Sequence, residues 1–291
     1  MAPASVTARG IEFSYLESGP GDGPLALVLH GFPDSPVSFT GLLSALGDAG
    51  YHAVAPWQRG YAPTSLAPDE SYHVGSLAAD ANALHDALGG ADDAVLLGHD
   101  WGASAVYPAL AVGPHLWRRG VAMAVPPMGS MVRALSHASQ LRRSWYMWLL
   151  TTPLAEGAVS ADNFAFIDQI WAEWSPGLSA ADGAPAIAAV KAAIASPAHL
   201  TAAVSYYRAL FDVPPTDPTA AAAHASLLER PPVPVCYLHG EDDGCIGIEE
   251  IGDPLELLGE GSEYVRVPNA GHFLQLERPE LVHASVLGFL G

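Results

Sequence analysis

The chain has 291 residues, half of them hydrophobic, which suffices for a substantial core and suits one α/β domain carrying an insertion. Its 31 acidic residues against 12 basic ones give a formal charge of −19. The acid is spread rather than blocked, which argues for a solvated surface and against nucleic acid or an anionic membrane as partner. Two cysteines, Cys236 and Cys245, make no disulfide framework and have no metal-ligand spacing around them, so no metal or cofactor is expected. Met1 to Ser5 contains neither a basic region nor an apolar h-region, and no run is long enough to span a bilayer. A cytoplasmic protein is the expectation.

In chain order, Ile11 to Leu16 and Leu25 to His30 read as strands and Phe39 to Gly50 as a helix. Tyr51 to Pro56 is again a strand, Ser76 to Leu88 a helix and Ala94 to Leu97 a short buried strand. Gly98-His99-Asp100-Trp101-Gly102 follows it, and then an Ala-rich helical stretch from Ala103 to Val112. A strand entering a glycine-flanked residue that opens a helix is the context of a nucleophile elbow, in which a strained turn lifts one side chain above the sheet. Here that side chain is Asp100. A carboxylate that attacks carbon leaves an ester for water to cleave, so the chemistry shifts from acyl transfer toward displacement at an alkyl carbon. As a bland alternative, Asp100 would only cap the helix.

A further strand, Gly120 to Val125, ends at Pro126-Pro127. Beyond it, residues 128–230 change character: strand-like runs vanish and alanine dominates. Helices are predicted at Met131 to Leu150, Asp162 to Trp174, Pro185 to Ala195 and Ala198 to Phe211. This segment is the expected helical cap, inserted into a core formed by 1–127 and 231–291. Strand character resumes at Val233 to His239 and Tyr264 to Val267, before a closing helix from Pro279 to Leu290. Alternating strands and helices imply a mostly parallel sheet flanked by helices, with the active site beyond the carboxyl ends of its strands.

Three loops at strand ends supply what a displacement by Asp100 requires. Gly240-Glu241-Asp242-Asp243-Gly244 follows the strand ending at His239, and Pro268-Asn269-Ala270-Gly271-His272-Phe273 follows the strand ending at Val267. The order nucleophile, acid, histidine makes His272 the base that activates water, oriented by one of the loop carboxylates. His30-Gly31-Phe32-Pro33-Asp34 stands where a backbone N–H completes an oxyanion hole, which assigns the two donors to Phe32 and Trp101.

With these pieces, His30-Gly31-Phe32-Pro33, the Asp100 elbow, the Gly240-to-Asp243 loop and Gly271-His272, the chain resembles the epoxide hydrolases of the α/β-hydrolase fold nearly from end to end. The resemblance implies an α/β-hydrolase core with a cap, a small-molecule epoxide substrate and a cis Phe32–Pro33 bond. It selects Asp243 as the acid, with Asp242 as runner-up. It also implies two cap tyrosines that hold the epoxide oxygen. Ser205-Tyr206-Tyr207-Arg208 is similar to the family's second tyrosine segment and points to Tyr207. Trp145-Tyr146-Met147 is similar to the first and points to Tyr146, with Trp145 as an additional N–H donor and substrate contact. A phenol suits the task because it can hydrogen-bond the oxygen and protonate the emerging alkoxide. Trp148, Trp171 and Trp174 are expected to line the pocket or pack the cap, and so many large aromatics suit a bulky or aromatic epoxide.

Rivals remain. A haloalkane dehalogenase shares the aspartate nucleophile and a tryptophan after it, but Phe32 holds the place of its second halide donor. Fluoroacetate dehalogenases carry arginine where this chain has Trp101, and Ser104 lies one helical turn too far along for a serine hydrolase. A non-catalytic ligand-binding protein of the same fold is a third possibility.

Overall fold

The computed structural model describes residues 3–291; Met1 and Ala2, part of the stretch searched for a leader, lie outside the described residues. Eight strands form one sheet: β1 (Ala4–Ala8), β2 (Ile11–Ser18), β3 (Leu25–Leu29), β4 (His52–Pro56), β5 (Val95–His99), β6 (Arg119–Met123), β7 (Val235–Gly240) and β8 (Glu263–Val267). Their spatial order is β1-β2-β4-β3-β5-β6-β7-β8. The two pairs β1–β2 and β2–β4 are antiparallel and the remaining five are parallel.

The apolar runs form strands because both faces of the parallel region are covered. In β3, Leu25, Leu27 and Leu29 enter the core on one face while Ala26 and Val28 enter the core on the other. Leu96 and the pair Val95 and Leu97 divide in the same way in β5. A strand buried on both sides loses the polar alternation of a half-exposed one, and continuous hydrophobicity remains as its mark. The strand that pattern reading overlooks is β1. Its sequence Ala-Ser-Val-Thr-Ala alternates weakly at the sheet edge, and only Ala8 is fully buried.

Between β6 and β7 the expected long helix from Met131 to Leu150 is three short ones: Met128–Ala134, Ala138–Arg143 and Trp145–Thr151. Serines mark both breaks: the Ser136 hydroxyl donates to Arg133 O at 2.6 Å, and Ser144 Oγ accepts from Gln140 Nε2 at 3.0 Å. Such short side chains offer the backbone partners outside a helix. Helix Ala155–Trp174 is interrupted where Asp162, Asn163 and Phe164 take left-handed backbone angles. Helix Ala180–Ala193 starts ahead of Pro185, because Ser179 accepts from Asp182 N and caps it. Helix Pro197–Arg208 follows. Helix Pro218–Ala225, within the segment expected as cap, packs on the core helix Val74–Ala87. No single helix among the described residues is long and apolar enough to cross a membrane.

The turn between β5 and helix Trp101–Val112 is packed more tightly than any side chain would allow. A Cβ at Gly102 would collide with the carbonyls of Leu29 and His30, and one at Gly31 would fall on the Asp100 carboxylate. Gly102→Ala is therefore expected to cost about 2–3 kcal/mol, as overpacking against fixed backbone does, read as a lower midpoint in urea with an unchanged slope.

Candidate active site

Asp100 stands between β5 and helix Trp101–Val112 with φ 54° and ψ −118°. A non-glycine residue holds such angles at a cost of about 1–3 kcal/mol, and only where its surroundings over-determine them. Here Asp100 N donates to Met123 O in the neighbouring strand at 3.2 Å, and Asp100 Oδ1 accepts from Phe32 N at 2.7 Å. The Phe32–Pro33 bond is cis. Trp101 begins the helix, so its N–H is one of the donors a helix start leaves without an internal partner.

The histidine and acid come from the ends of β8 and β7. His272 Nδ1 lies 3.0 Å from Asp243 Oδ2, and His272 Nε2 lies 3.6 Å from Asp100 Oδ2. Nε2 is buried and has no hydrogen-bond partner among the described residues. The other oxygen of Asp243 accepts from Cys245 N at 2.7 Å and Ile246 N at 2.9 Å, which fixes the carboxylate. Asp242 is exposed and makes no contact with the histidine; its N–H donates to Ala270 O. The end of helix Ala155–Trp174 contributes as well. The carbonyl of Trp174 accepts from Gly244 N at 3.1 Å and His272 N at 2.9 Å, while Ser175 Oγ accepts from Phe273 N at 2.8 Å.

Four buried histidines surround this centre and only one is made more basic. Burial lowers His30 to about 4 and His99 to about 3, the latter also repelled by His272. His239 is lowered by burial too, although it stands 3.6 Å from Asp243. Burial works against protonation of His272 as well, but Asp243 and then Asp100 outweigh it and raise the imidazole to about 10. Asp243 is correspondingly held below the usual carboxylate range: burial opposes the shift, and the His272 charge and hydrogen bond overcome it. Beneath the site, burial pushes Asp34 up to about 7 against hydrogen bonds from Ser38 and Ser35.

A cavity of about 410 Å³ opens on Asp100 and Trp101, and its wall includes Tyr146, Tyr207, Met147 and Trp148. The structure thus gathers Asp100, Trp101, Tyr146 and Tyr207 around one space. Burial raises both phenols well above their ordinary range, which keeps them protonated. The Tyr207 hydroxyl is buried and has no partner among the described residues, while Tyr146 Oη lies 3.2 Å from Cys245 Sγ. Trp145 is not brought to this space. It is 43% exposed, packs edge-to-face on Phe166, and faces a separate depression beside Arg142 and Arg143. Trp148 stands at the mouth of the cavity, whereas Trp171 and Trp174 are buried.

Cys245 is a neighbour of the site to which the sequence assigns no role. Being near the acid loop is its only signal, and that does not tell a site residue from a core one. Asp243, Cys245 and His272 bring three possible metal-ligand atoms within 4.8 Å of one another. The hydrogen bonds just given already occupy both oxygens of Asp243 and Nδ1 of His272, so the group is satisfied as a hydrogen-bond network.

The sequence matches the alpha/beta hydrolase fold family over residues 24–279, and the chain belongs to that family. Its relatives include several epoxide hydrolases. It is 31% identical to epoxide hydrolase 3 of Xenopus tropicalis over 97% of this chain and 75% of that protein. It is 29% identical to epoxide hydrolase 3 of Mus musculus over 98% and 75%. The crystal structure of epoxide hydrolase A from Mycobacterium thermoresistibile shares 25% identity, with a TM-score of 0.79 over 99% of this chain and 98% of that one.

The two carboxylates flanking His272 yield a titration test. Asp100→Asn removes one of the anions that favour the imidazolium, so the His272 pKa is expected to fall from about 10 toward 6.5. Imidazole chemical shifts followed against pH in both proteins measure it; an unchanged pKa in the variant would contradict this account of the site.

Proposed function

We propose that the protein converts an epoxide to a vicinal diol in two steps through an ester on Asp100. In the first, a carboxylate oxygen of Asp100 attacks an epoxide carbon and the C–O bond of the ring breaks. Tyr146 and Tyr207 hydrogen-bond the epoxide oxygen and one of them protonates it as it leaves. Esterification removes the negative charge of Asp100, which weakens the hold on the His272 proton. That proton restores the one the tyrosine gave up, and His272 becomes a neutral base. In the second step His272, oriented by Asp243, takes a proton from a water that attacks the ester carbonyl. The N–H groups of Phe32 and Trp101 hold the oxyanion. Collapse breaks the bond to the alcohol oxygen, which takes the remaining proton of the attacking water, so the diol leaves with Asp100 ionised and His272 protonated as at the start.

The observation that carries this reading is the presence of two buried tyrosines, from different helices, on the wall of the cavity that holds the aspartate. A dehalogenase needs halide donors there instead. The Phe32 N–H is already bonded to the Asp100 carboxylate and the Trp145 indole lies outside the cavity, so neither serves. The apolar cavity suits a bulky or aromatic epoxide.

His272→Gln is expected to complete the first step and stall before the second, so that incubation with styrene oxide raises the intact-protein mass by one substrate. No adduct and no turnover, in a variant that still binds substrate, would sink this division of labour. Replacing both Tyr146 and Tyr207 by Phe should slow ester formation by roughly 10²–10⁴-fold, the usual range for lost general-acid assistance, and leave breakdown of a preformed ester much less affected. Rapid-quench kinetics separates the two steps; a double variant that opens epoxides at the wild-type rate would remove the tyrosines from the mechanism. Chloride release from a haloalkane at a rate exceeding diol formation would favour the dehalogenase.

A further inference from the structure

The aromatic side chains near Asp100 form an arc without gaps. Phe32 meets Tyr207 edge-to-face at 5.3 Å between ring centroids, and Tyr207 meets Tyr146 at 5.7 Å. Tyr146 leans on Trp174 at 4.7 Å, and Trp174 meets the His272 ring at 5.0 Å. Separations of this size are van der Waals contact for aromatic pairs, and every member of the arc is at most 4% exposed. The arc is also backed. Buried Trp171 stacks on Phe273 at 3.5 Å and donates its indole N–H to O of Pro33, the neighbour of Phe32, at 2.8 Å, and Phe273 stacks in turn on Trp174 at 6.5 Å.

Of the five members only Tyr146 and Tyr207 also belong to the cavity wall; Phe32, Trp174 and His272 do not. The rest of the wall comes from side chains outside the arc, among them Ser104, Tyr107, Met131 and Leu227, and from Trp148 and Phe211, which open to solvent. Trp148 and Phe211 are 52% and 63% exposed and lie against each other at 5.3 Å. Apart from Asp100 itself, no charged side chain and no histidine lines this space among the described residues.

From this asymmetry we infer that the substrates are terminal epoxides bearing a single uncharged, apolar arm. The unsubstituted end of the ring lies within the arc, and the arm runs out toward Trp148 and Phe211. The inference rests on the proposed epoxide chemistry and narrows it. A substituent on the second ring carbon would have to enter the arc, where rings in contact and backed by Trp171 can yield only by leaving their packed positions. A charged group on the arm would leave water for a wall that offers it no partner. The exposed aromatic pair at the mouth gives a flat apolar surface for the far end of a longer arm.

The test compares three epoxides with the full-length wild-type protein: styrene oxide, its homologue with a trans methyl on the second ring carbon, and styrene oxide with a para carboxylate. Diol formation gives kcat/KM for each. The added methyl and the added carboxylate are each expected to lower kcat/KM by roughly 10- to 200-fold, the range a closed apolar pocket imposes on a misfitting group. A loss smaller than about tenfold for the methyl overturns the single-arm inference, and the same result for the carboxylate overturns the uncharged one. Absence of diol from all three overturns the proposed function and the inference with it. Diol from all three at similar rates overturns the inference alone.

Two variants locate the selection. Trp174→Leu opens the arc and is expected to narrow the discrimination against the methyl-bearing epoxide. Leu135→Arg, in the arm region and partly exposed, is expected to raise kcat/KM for the carboxylate relative to styrene oxide. If Trp174→Leu folds and leaves the methyl discrimination unchanged, the arc is not what selects. The Leu135→Arg ratio tests the arm independently, whether or not Trp174→Leu folds.

Discussion

An imidazole caught between two carboxylates, all three away from bulk water, is the interaction on which the rest of the structure depends. Charges 3 to 4 Å apart interact far more strongly in such a setting than in solvent, and each would be costly to bury alone. The parallel sheet solves the assembly problem: Asp100, Asp243 and His272 are far apart in sequence, yet β5, β7 and β8 all deliver their carboxyl ends to one edge. The other histidines at that edge show how specific the arrangement is. His30, His99 and His239 are equally buried and stay neutral, because none of them has carboxylates on both ring nitrogens. Protonation therefore goes to the single ring that faces a carboxylate at each nitrogen.

The net charge of −19 belongs to a different part of the molecule. It sits on the exterior, while the cavity contains one carboxylate and a wall of aromatic, methionine and leucine side chains. The charge thus describes how the protein meets solvent and which polyanions it avoids, while the shape and polarity of the cavity are set elsewhere. The binding chemistry lies in a few positions whose neighbours in space are remote in sequence.

Much of the site was legible because its constraints are local. An elbow needs small residues on both sides of the nucleophile, and Gly98 and Gly102 report that directly; so does Gly31, whose missing side chain makes room for the Asp100 carboxylate. The buried strands were legible from unbroken apolar runs, with only the edge strand β1 escaping. The cap was harder to read. The helical pattern continues through Ser136 and Ser144, where the helix in fact stops, since breaks marked by serine hydroxyls bonded to Arg133 O and to the Gln140 amide leave no hydrophobic signature. Trp145 illustrates a second limit. A helix turns by about 100° per residue, so adjacent aromatics face different ways; Tyr146 takes the inward direction and Trp145 faces outward. The choice between Asp242 and Asp243 lay within one glycine-bounded loop, and only the fold of that loop, with Asp243 N returning to Gly240 O, turns one side chain in and the other out.

Residues 174 and 175, at the end of helix Ala155–Trp174, do more than line up beside the cavity. The Trp174 carbonyl holds the main chain of both the acid loop and the histidine loop, and the Ser175 hydroxyl holds the residue after the histidine. The segment between β6 and β7 is therefore tied by main-chain hydrogen bonds to the loops that carry Asp243 and His272. A chain trimmed of the helices between β6 and β7 would lose the carbonyl that joins the loops of Asp243 and His272. A foreign helical segment transplanted between β6 and β7 would have to carry the same main-chain path at positions 174 and 175, whatever it changed elsewhere.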